Sequence, residues 1–117
     1  MNRILLIDDD EATRVSTSRL LTHLGYEVKE ACNGMEGITL FQNSDRWGIV
    51  ITDLRMPIIN GNDVARKIRE SNHPGTPIVA ITGSEFVEEI ERDLFDSVLI
   101  KPFRLETLVD MIRSLTG

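Results

Sequence analysis

Acidic residues stand in this sequence where apolar runs stop. Ile4-Leu5-Leu6-Ile7 gives way to Asp8-Asp9-Asp10, and Ile49-Val50-Ile51-Thr52 gives way to Asp53. Two further apolar runs, Pro77 to Ile81 and Val98 to Ile100, stop at Thr82 and Lys101. Short runs of this kind, rich in Ile and Val, read as strands covered on both faces, as in a parallel sheet between helix layers. In open sheets of that type, ligands collect in the crevice outside the carboxyl ends of the strands. Asp8, Asp9, Asp53, Thr82 and Lys101 are therefore predicted to share one edge of the sheet. Carboxylates about 5 Å apart repel by roughly 3 kcal/mol at an effective dielectric near 20, so a compensating charge is called for. Lys101 offers one positive charge. A hard divalent cation such as Mg²⁺ offers two, and it accepts carboxylate and carbonyl oxygens while keeping waters or substrate oxygens. A metal, a lysine and a hydroxyl donor are the parts that phosphoryl transfer requires.

The elements that must position these groups alternate along the chain. A first helix is predicted from Glu11 to Leu24, with Ala12, Ser16, Leu20 and Leu24 at four-residue steps, Val15 beside them and Gly25 as the stop. Tyr26 to Ala31 reads as a second strand. Gly34, Gly37, Ile38 and Phe41 follow the i, i+3, i+4, i+7 pattern of a helix lying close on the sheet, with Asn33 as its N-cap. Met56-Pro57 and Asn60-Gly61 punctuate a loop after Asp53. Val64 and Ile68 give a third helix its inner face, and Asn72-His73-Pro74-Gly75 ends it. Val87, Ile90 and Leu94 mark a short fourth helix with a solvated acidic face of Glu88, Glu89 and Glu91. Leu105, Leu108, Val109, Ile112 and Leu115 line one side of the last helix. Five strands alternating with five helices imply a three-layer α/β/α sandwich.

The chain has 117 residues, 41% apolar and 27% charged, which fits one globular domain. No apolar run approaches the roughly 20 residues needed to span a bilayer. Met1-Asn2-Arg3 passes straight into a strand, so no signal peptide is expected and the chain is placed in the cytoplasm. The one cysteine, Cys32, has no internal partner and is read as a small buried hydrophobe. A net charge of -6 argues against nucleic-acid binding by this domain, since phosphate contacts need clustered Lys and Arg. His23 and His73 have no partner at a useful spacing and read as surface residues, and Trp47 reads as a packing residue.

Asp8-Asp9, the DLRMPIING stretch around Asp53, Thr82-Gly83-Ser84 and Lys101-Pro102-Phe103 occur in this order after strands one, three, four and five. In this respect the chain resembles the receiver domains of bacterial two-component response regulators, of the chemotaxis-regulator type, and the resemblance covers residues 1–117. It implies a flavodoxin-like parallel sheet of strand order 2-1-3-4-5. It also implies that Asp53 is the phosphoacceptor, attacking a phosphohistidine of a sensor histidine kinase or phosphotransfer protein, or a small donor such as acetyl phosphate. By the same resemblance Asp9, Asp53 and the backbone carbonyl of Arg55 match the direct Mg²⁺ ligands, and Asp8 matches an acid reaching the metal through water. Thr82 would bond the phosphoryl group, Lys101 would pair with it, and Lys101-Pro102 matches a cis peptide. Such a domain is expected to catalyse only its own phosphorylation and dephosphorylation, and to switch conformation so as to control a partner protein or output domain. None of these 117 residues is assigned to an output domain.

Two departures from the family pattern stand out. Val98 replaces the Tyr or Phe that commonly precedes the lysine by three residues, and Leu94-Phe95-Asp96-Ser97 replaces a small-residue turn, so a short or irregular fourth helix is predicted. Arg55 and Ser84 occupy positions that tune dephosphorylation in the family. Two other readings stay open here. A pseudo-receiver would act as a phosphate-independent interaction module, and an external phosphatase or phosphotransferase would work through an aspartyl-phosphate. The latter class usually carries an acid two residues after the nucleophile, where this chain has Arg55. A dinucleotide or flavin site is disfavoured because no glycine-rich loop follows the first strand.

Overall fold

The computed structural model describes residues 2–44 and 46–117. Met1, from which the sequence reading ran into the first strand, lies outside them, as does Asp45. The chain runs β1 (Arg3–Ile7), α1 (Glu11–His23), β2 (Glu27–Ala31), α2 (Gly34–Gln42), β3 (Ile49–Asp53) and α3 (Gly61–Arg69). It continues through β4 (Ile78–Gly83), two 3-10 turns (Ser84–Glu89 and Arg92–Leu94), β5 (Ser97–Lys101) and α4 (Leu105–Thr116). All strand pairs are parallel and the order is β2-β1-β3-β4-β5.

Strand alternation divides the core in two. Leu5, Ile7, Val50 and Ile78 face Ile38 and Phe41 of α2 and Val64, Ala65 and Ile68 of α3. Ile4, Leu6, Ile49, Ile51, Val79 and Ile81 face Leu21 of α1 and Leu108, Val109 and Ile112 of α4. A sheet buried on both faces is what continuous runs of Ile, Leu and Val require, and the flavodoxin-like sandwich expected from the sequence is the fold observed. The glycine pattern of α2 holds as well: a Cβ on Gly37 would lie 2.3 Å from Ile7 Cδ1, so that helix sits on β1 at a distance only glycine allows.

Three expectations need correction. On α1 the four-residue steps of Ala12, Ser16, Leu20 and Leu24 mark the solvent side, with Leu20 46% and Leu24 48% exposed, while Ser18 and Leu21 are buried. Two apolar stripes were available on that helix, and the sheet took the one carrying the small Ser18. Cys32 is exposed, because it follows the last residue of β2 in the turn before the Asn33 cap, where its N–H donates to the Glu36 carboxylate. The predicted fourth helix is a pair of 3-10 turns, in line with the short or irregular segment expected, so among the described residues four α-helices stand where five were expected. Buried Asn62 of α3 supplies a physical reason. Its Nδ2 donates to the Glu89 carbonyl (2.8 Å) and its Oδ1 accepts from the Glu91 N–H (3.0 Å), taking two backbone groups that a continuous helix would pair internally.

Glu88, Glu89 and Glu91 are exposed, as predicted for the acidic face, and two of them also carry ion pairs. Glu89 is paired with Arg55, and Glu91 with Arg66. At the far end of the sheet, Trp47 is a buried packing residue just before β3, with the Arg3 guanidinium 4.3 Å above its ring. His23 and His73 are exposed.

Candidate functional site

The site forms where β1, β3, β4 and β5 end together. At the exit of β1 the chain turns sharply: the Asp8 N–H donates to the Ala31 carbonyl (3.1 Å) and Asp8 Oδ1 accepts from the Asp10 N–H (2.9 Å). Asp10 then caps α1 by accepting from the Thr13 N–H (3.0 Å), and the bonds from Thr13 hold its carboxyl below the usual range. Arg14 Nη1 donates to the Asp8 carbonyl (3.0 Å). These bonds turn the Asp8 side chain inward while Asp9 remains exposed. Of the three consecutive acids, one is therefore a helix cap and two face the site.

Asp53 is the last residue of β3 and only 8% exposed. Beyond it the Leu54 N–H donates to the Ile81 carbonyl (2.9 Å) and the Gly61 N–H to the Leu54 carbonyl (2.8 Å), folding the loop back over the strand end. Gly61 starts α3 there, and a Cβ at that position would lie 2.7 Å from the Asp53 carbonyl oxygen. The Asn60–Asp63 capping box secures the same helix start, each side chain accepting from the other's N–H.

Asp8, Asp9 and Asp53 each bring a carboxylate oxygen into a cluster within 4.8 Å. Lys101 Nζ donates to Asp53 Oδ2 at 3.3 Å. Burial pushes the Asp53 carboxyl up to about 6, against the pull of Lys101, with the charge of Asp8 pushing the same way as burial. Burial also raises Asp8, opposed by the bond from the Asp10 N–H. The Thr82 hydroxyl is 1% exposed as a residue and has no hydrogen-bond partner among the described residues. A cleft of about 620 Å³ opens over Asp53, Thr82 and Lys101, lined also by Arg55, Phe86 and Phe103 among others. Three carboxylates against one lysine leave an oxygen-rich, net negative cluster that fits a hard divalent cation, and the unpartnered hydroxyl beside it fits an oxyanion acceptor. The structure thus brings together Asp8, Asp9, Asp53 and Lys101, with Thr82 and Arg55 on the same cleft. Lys101-Pro102 is cis.

Residues 4–113 match the family model described as the response regulator receiver domain. The chain belongs to the response regulator receiver family. Among its curated relatives, the response regulator MprA of Mycolicibacterium vanbaalenii is 40% identical over 116 residues, covering 97% of this chain and 49% of that protein. The chain thus spans about half the length of the curated relatives it matches. Among solved structures, a response regulator receiver domain protein from Clostridium thermocellum is 28% identical with a TM-score of 0.92, covering 99% of this chain and 94% of that one. The response regulator protein TrrA from Thermotoga maritima, solved in complex with Mg²⁺-BeF, is 30% identical with a TM-score of 0.89, covering 98% of this chain and 99% of that one.

Two neighbours of Arg55 in this receiver domain were not singled out from the sequence as part of the site: Phe86, which lines the cleft, and Glu89, which Arg55 binds. Phe86 lies in the first 3-10 turn, with the Arg55 guanidinium 4.3 Å over its ring, and Glu89 accepts from Arg55 Nη1 at 2.9 and 3.0 Å. No periodic pattern could have flagged a pair separated by 34 positions. The only local hint was that Phe86 follows closely on Thr82. Among the described residues no helix is long and apolar enough to cross a membrane.

Proposed function

We propose that this receiver domain accepts a phosphoryl group on Asp53 in a Mg²⁺-dependent reaction within two-component signal transduction. The donor is a phosphohistidine of a sensor histidine kinase or phosphotransfer protein. The observation that carries the reading is the Asp8, Asp9 and Asp53 cluster within 4.8 Å, with Lys101 Nζ 3.3 Å from Asp53 Oδ2. One Asp53 carboxylate oxygen forms a bond to phosphorus as the P–N bond to the donor imidazole breaks, and the electron pair leaves with the imidazole nitrogen. With acetyl phosphate the bond broken is P–O and acetate leaves. Asp8, Asp9, Asp53 and the Arg55 backbone carbonyl would hold the metal, which when bound neutralises phosphoryl oxygens and helps orient the group. Lys101 moves from the Asp53 carboxylate to a phosphoryl oxygen, and the Thr82 hydroxyl donates to another. The aspartyl-phosphate is the product kept by the chain, so the domain acts on itself and turns over no external substrate. The chain works in the cytoplasm, where gain and loss of the phosphoryl group shift it between two conformations read by a partner protein or output domain.

Intact mass after incubation with acetyl phosphate and Mg²⁺ tests this reading. A single phosphoryl adduct is expected, absent in Asp53→Ala and absent with EDTA. No adduct together with no Mg²⁺ binding by titration would replace the reading with a phosphate-independent interaction module.

A further inference from the structure

We infer that Arg55 is a positioning residue that exchanges partners on phosphorylation, leaving Glu89 for the phosphoryl group and so releasing the segment from Ser84 to Leu94. The inference rests on the phosphoacceptor reading and adds to it the route by which the site reaches another part of the molecule. Arg55 lies in the loop just after Asp53 and lines the same cleft as Asp53, Thr82 and Lys101. Its guanidinium makes two hydrogen bonds to the Glu89 carboxylate and covers the Phe86 ring at 4.3 Å. One side chain therefore spans from the phosphoacceptor loop to the first 3-10 turn.

The part of the segment nearest Arg55, the first 3-10 turn, is weakly anchored elsewhere, while Leu94 at the far end packs against the core. Neither 3-10 turn contains a buried residue, and Ile90 between them is the one buried side chain of the stretch. The segment's other ties to α3 are the two bonds from Asn62, the pair between Glu91 and Arg66, and at its far end the bond from Arg69 Nε to the Leu94 carbonyl (3.0 Å). Both partners of the Arg55–Glu89 pair are about half exposed, with 54% and 50% of their side chains accessible, which places the pair among the weak ones. A phosphoryl group carries a charge of about -2 at neutral pH and offers three acceptor oxygens in a geometry that guanidinium matches. The Glu89 carboxylate carries one charge and stands in solvent. The competition therefore favours the phosphoryl group, and Glu89 and Phe86 lose their common contact when Arg55 turns inward.

Hydrogen exchange followed by mass spectrometry, on the whole chain with and without acetyl phosphate and Mg²⁺, reads the release directly. Intact mass is recorded on the same samples. In the wild type, peptides covering residues 84–94 are expected to exchange about fivefold faster once the adduct is present, the upper size for an exposed ion pair. In Glu89→Gln the adduct still forms, but those peptides exchange fast beforehand and change by less than about twofold. Phe86→Leu, which removes the ring but keeps an apolar side chain, gives an intermediate response. Adduct formation with unchanged exchange at 84–94 in the wild type, or a full phosphorylation response in Glu89→Gln, would overturn the relay alone. Absence of the adduct would overturn the phosphoacceptor reading, and the relay with it.

Discussion

Replacing Asp53 by Asn should make this protein more stable at neutral pH, and the gain should depend on pH in a defined way. Burial raises the Asp53 carboxyl from 3.8 to about 6. Between those two values the folded state keeps a proton that the unfolded chain has released, so stability falls as pH rises through that window. Above pH 6 the full cost is present, about 3 kcal/mol at 1.36 kcal/mol for each pH unit of displacement. The Asn variant gives up the bond from Lys101, whose side chain is 36% exposed and contributes little. A net gain of about 1.5–3 kcal/mol remains, which for a domain of this size raises Tm by about 6–12 °C. The assay is thermal unfolding of both proteins in EDTA from pH 4.5 to pH 8. The gap should be full at pH 7 and above, fall to about half by pH 5, and fall further at pH 4.5. An Asn variant that melts at or below the wild type at pH 8 would refute the argument. So would a gap that does not narrow between pH 7 and pH 5.

Three further outcomes follow from particular contacts. Thr82→Val removes a buried hydroxyl that has no partner, so its unfolding free energy in urea should stay level or rise by up to about 1 kcal/mol, while adduct formation from acetyl phosphate slows; a loss above about 1 kcal/mol would mean the hydroxyl is bonded after all. Gly61→Ala pushes a methyl group against the Asp53 carbonyl and the Leu54 Cα, both backbone, and should cost about 1–3 kcal/mol in urea unfolding; Gly75→Ala meets nothing within 4 Å and is the unaffected control. Cys32 is exposed and should take up one equivalent of a thiol reagent such as DTNB without unfolding, whereas labelling as slow as global unfolding would place it inside the fold.

Where periodicity and burial coincide, the fold was legible in the residues. Gly34, Gly37, Ile38 and Phe41 are all buried on α2, because small and apolar residues shared one stripe and no second stripe competed. On α1, leucines at 20, 21 and 24 offered more than one stripe, and the face packed on the sheet is the one with Ser18 and Leu21. The acidic cluster was legible because Asp53 ends a strand and Asp8 and Asp9 directly follow one, and parallel strands bring their ends to one edge. Tertiary bonds from α3 decided the form of the segment after β4. Asn62 and Arg66 both act on it across the fold, and the spacing of Val87, Ile90 and Leu94 carries no trace of them. The same limit hid the Arg55–Glu89 pair: Glu89 is the exposed acid expected, and its partner was the part not legible.

The site is drawn from four strand ends that are far apart in the chain: Asp8 after β1, Asp53 at the end of β3, Thr82 within β4 and Lys101 at the end of β5. Asp53 and Lys101, which touch, are separated by 48 positions. A nascent chain still missing β5 lacks the lysine, and a chain in which β3 has not paired with β1 has its acids scattered. On the phosphoacceptor reading, acceptance of a phosphoryl group doubles as an inspection of assembly, since the complete site exists only after the central strands are in register. Misfolded and truncated copies should be silent in the signalling chain rather than wrongly active. A phosphorylation assay on freshly translated protein would count finished molecules as well as any structural probe.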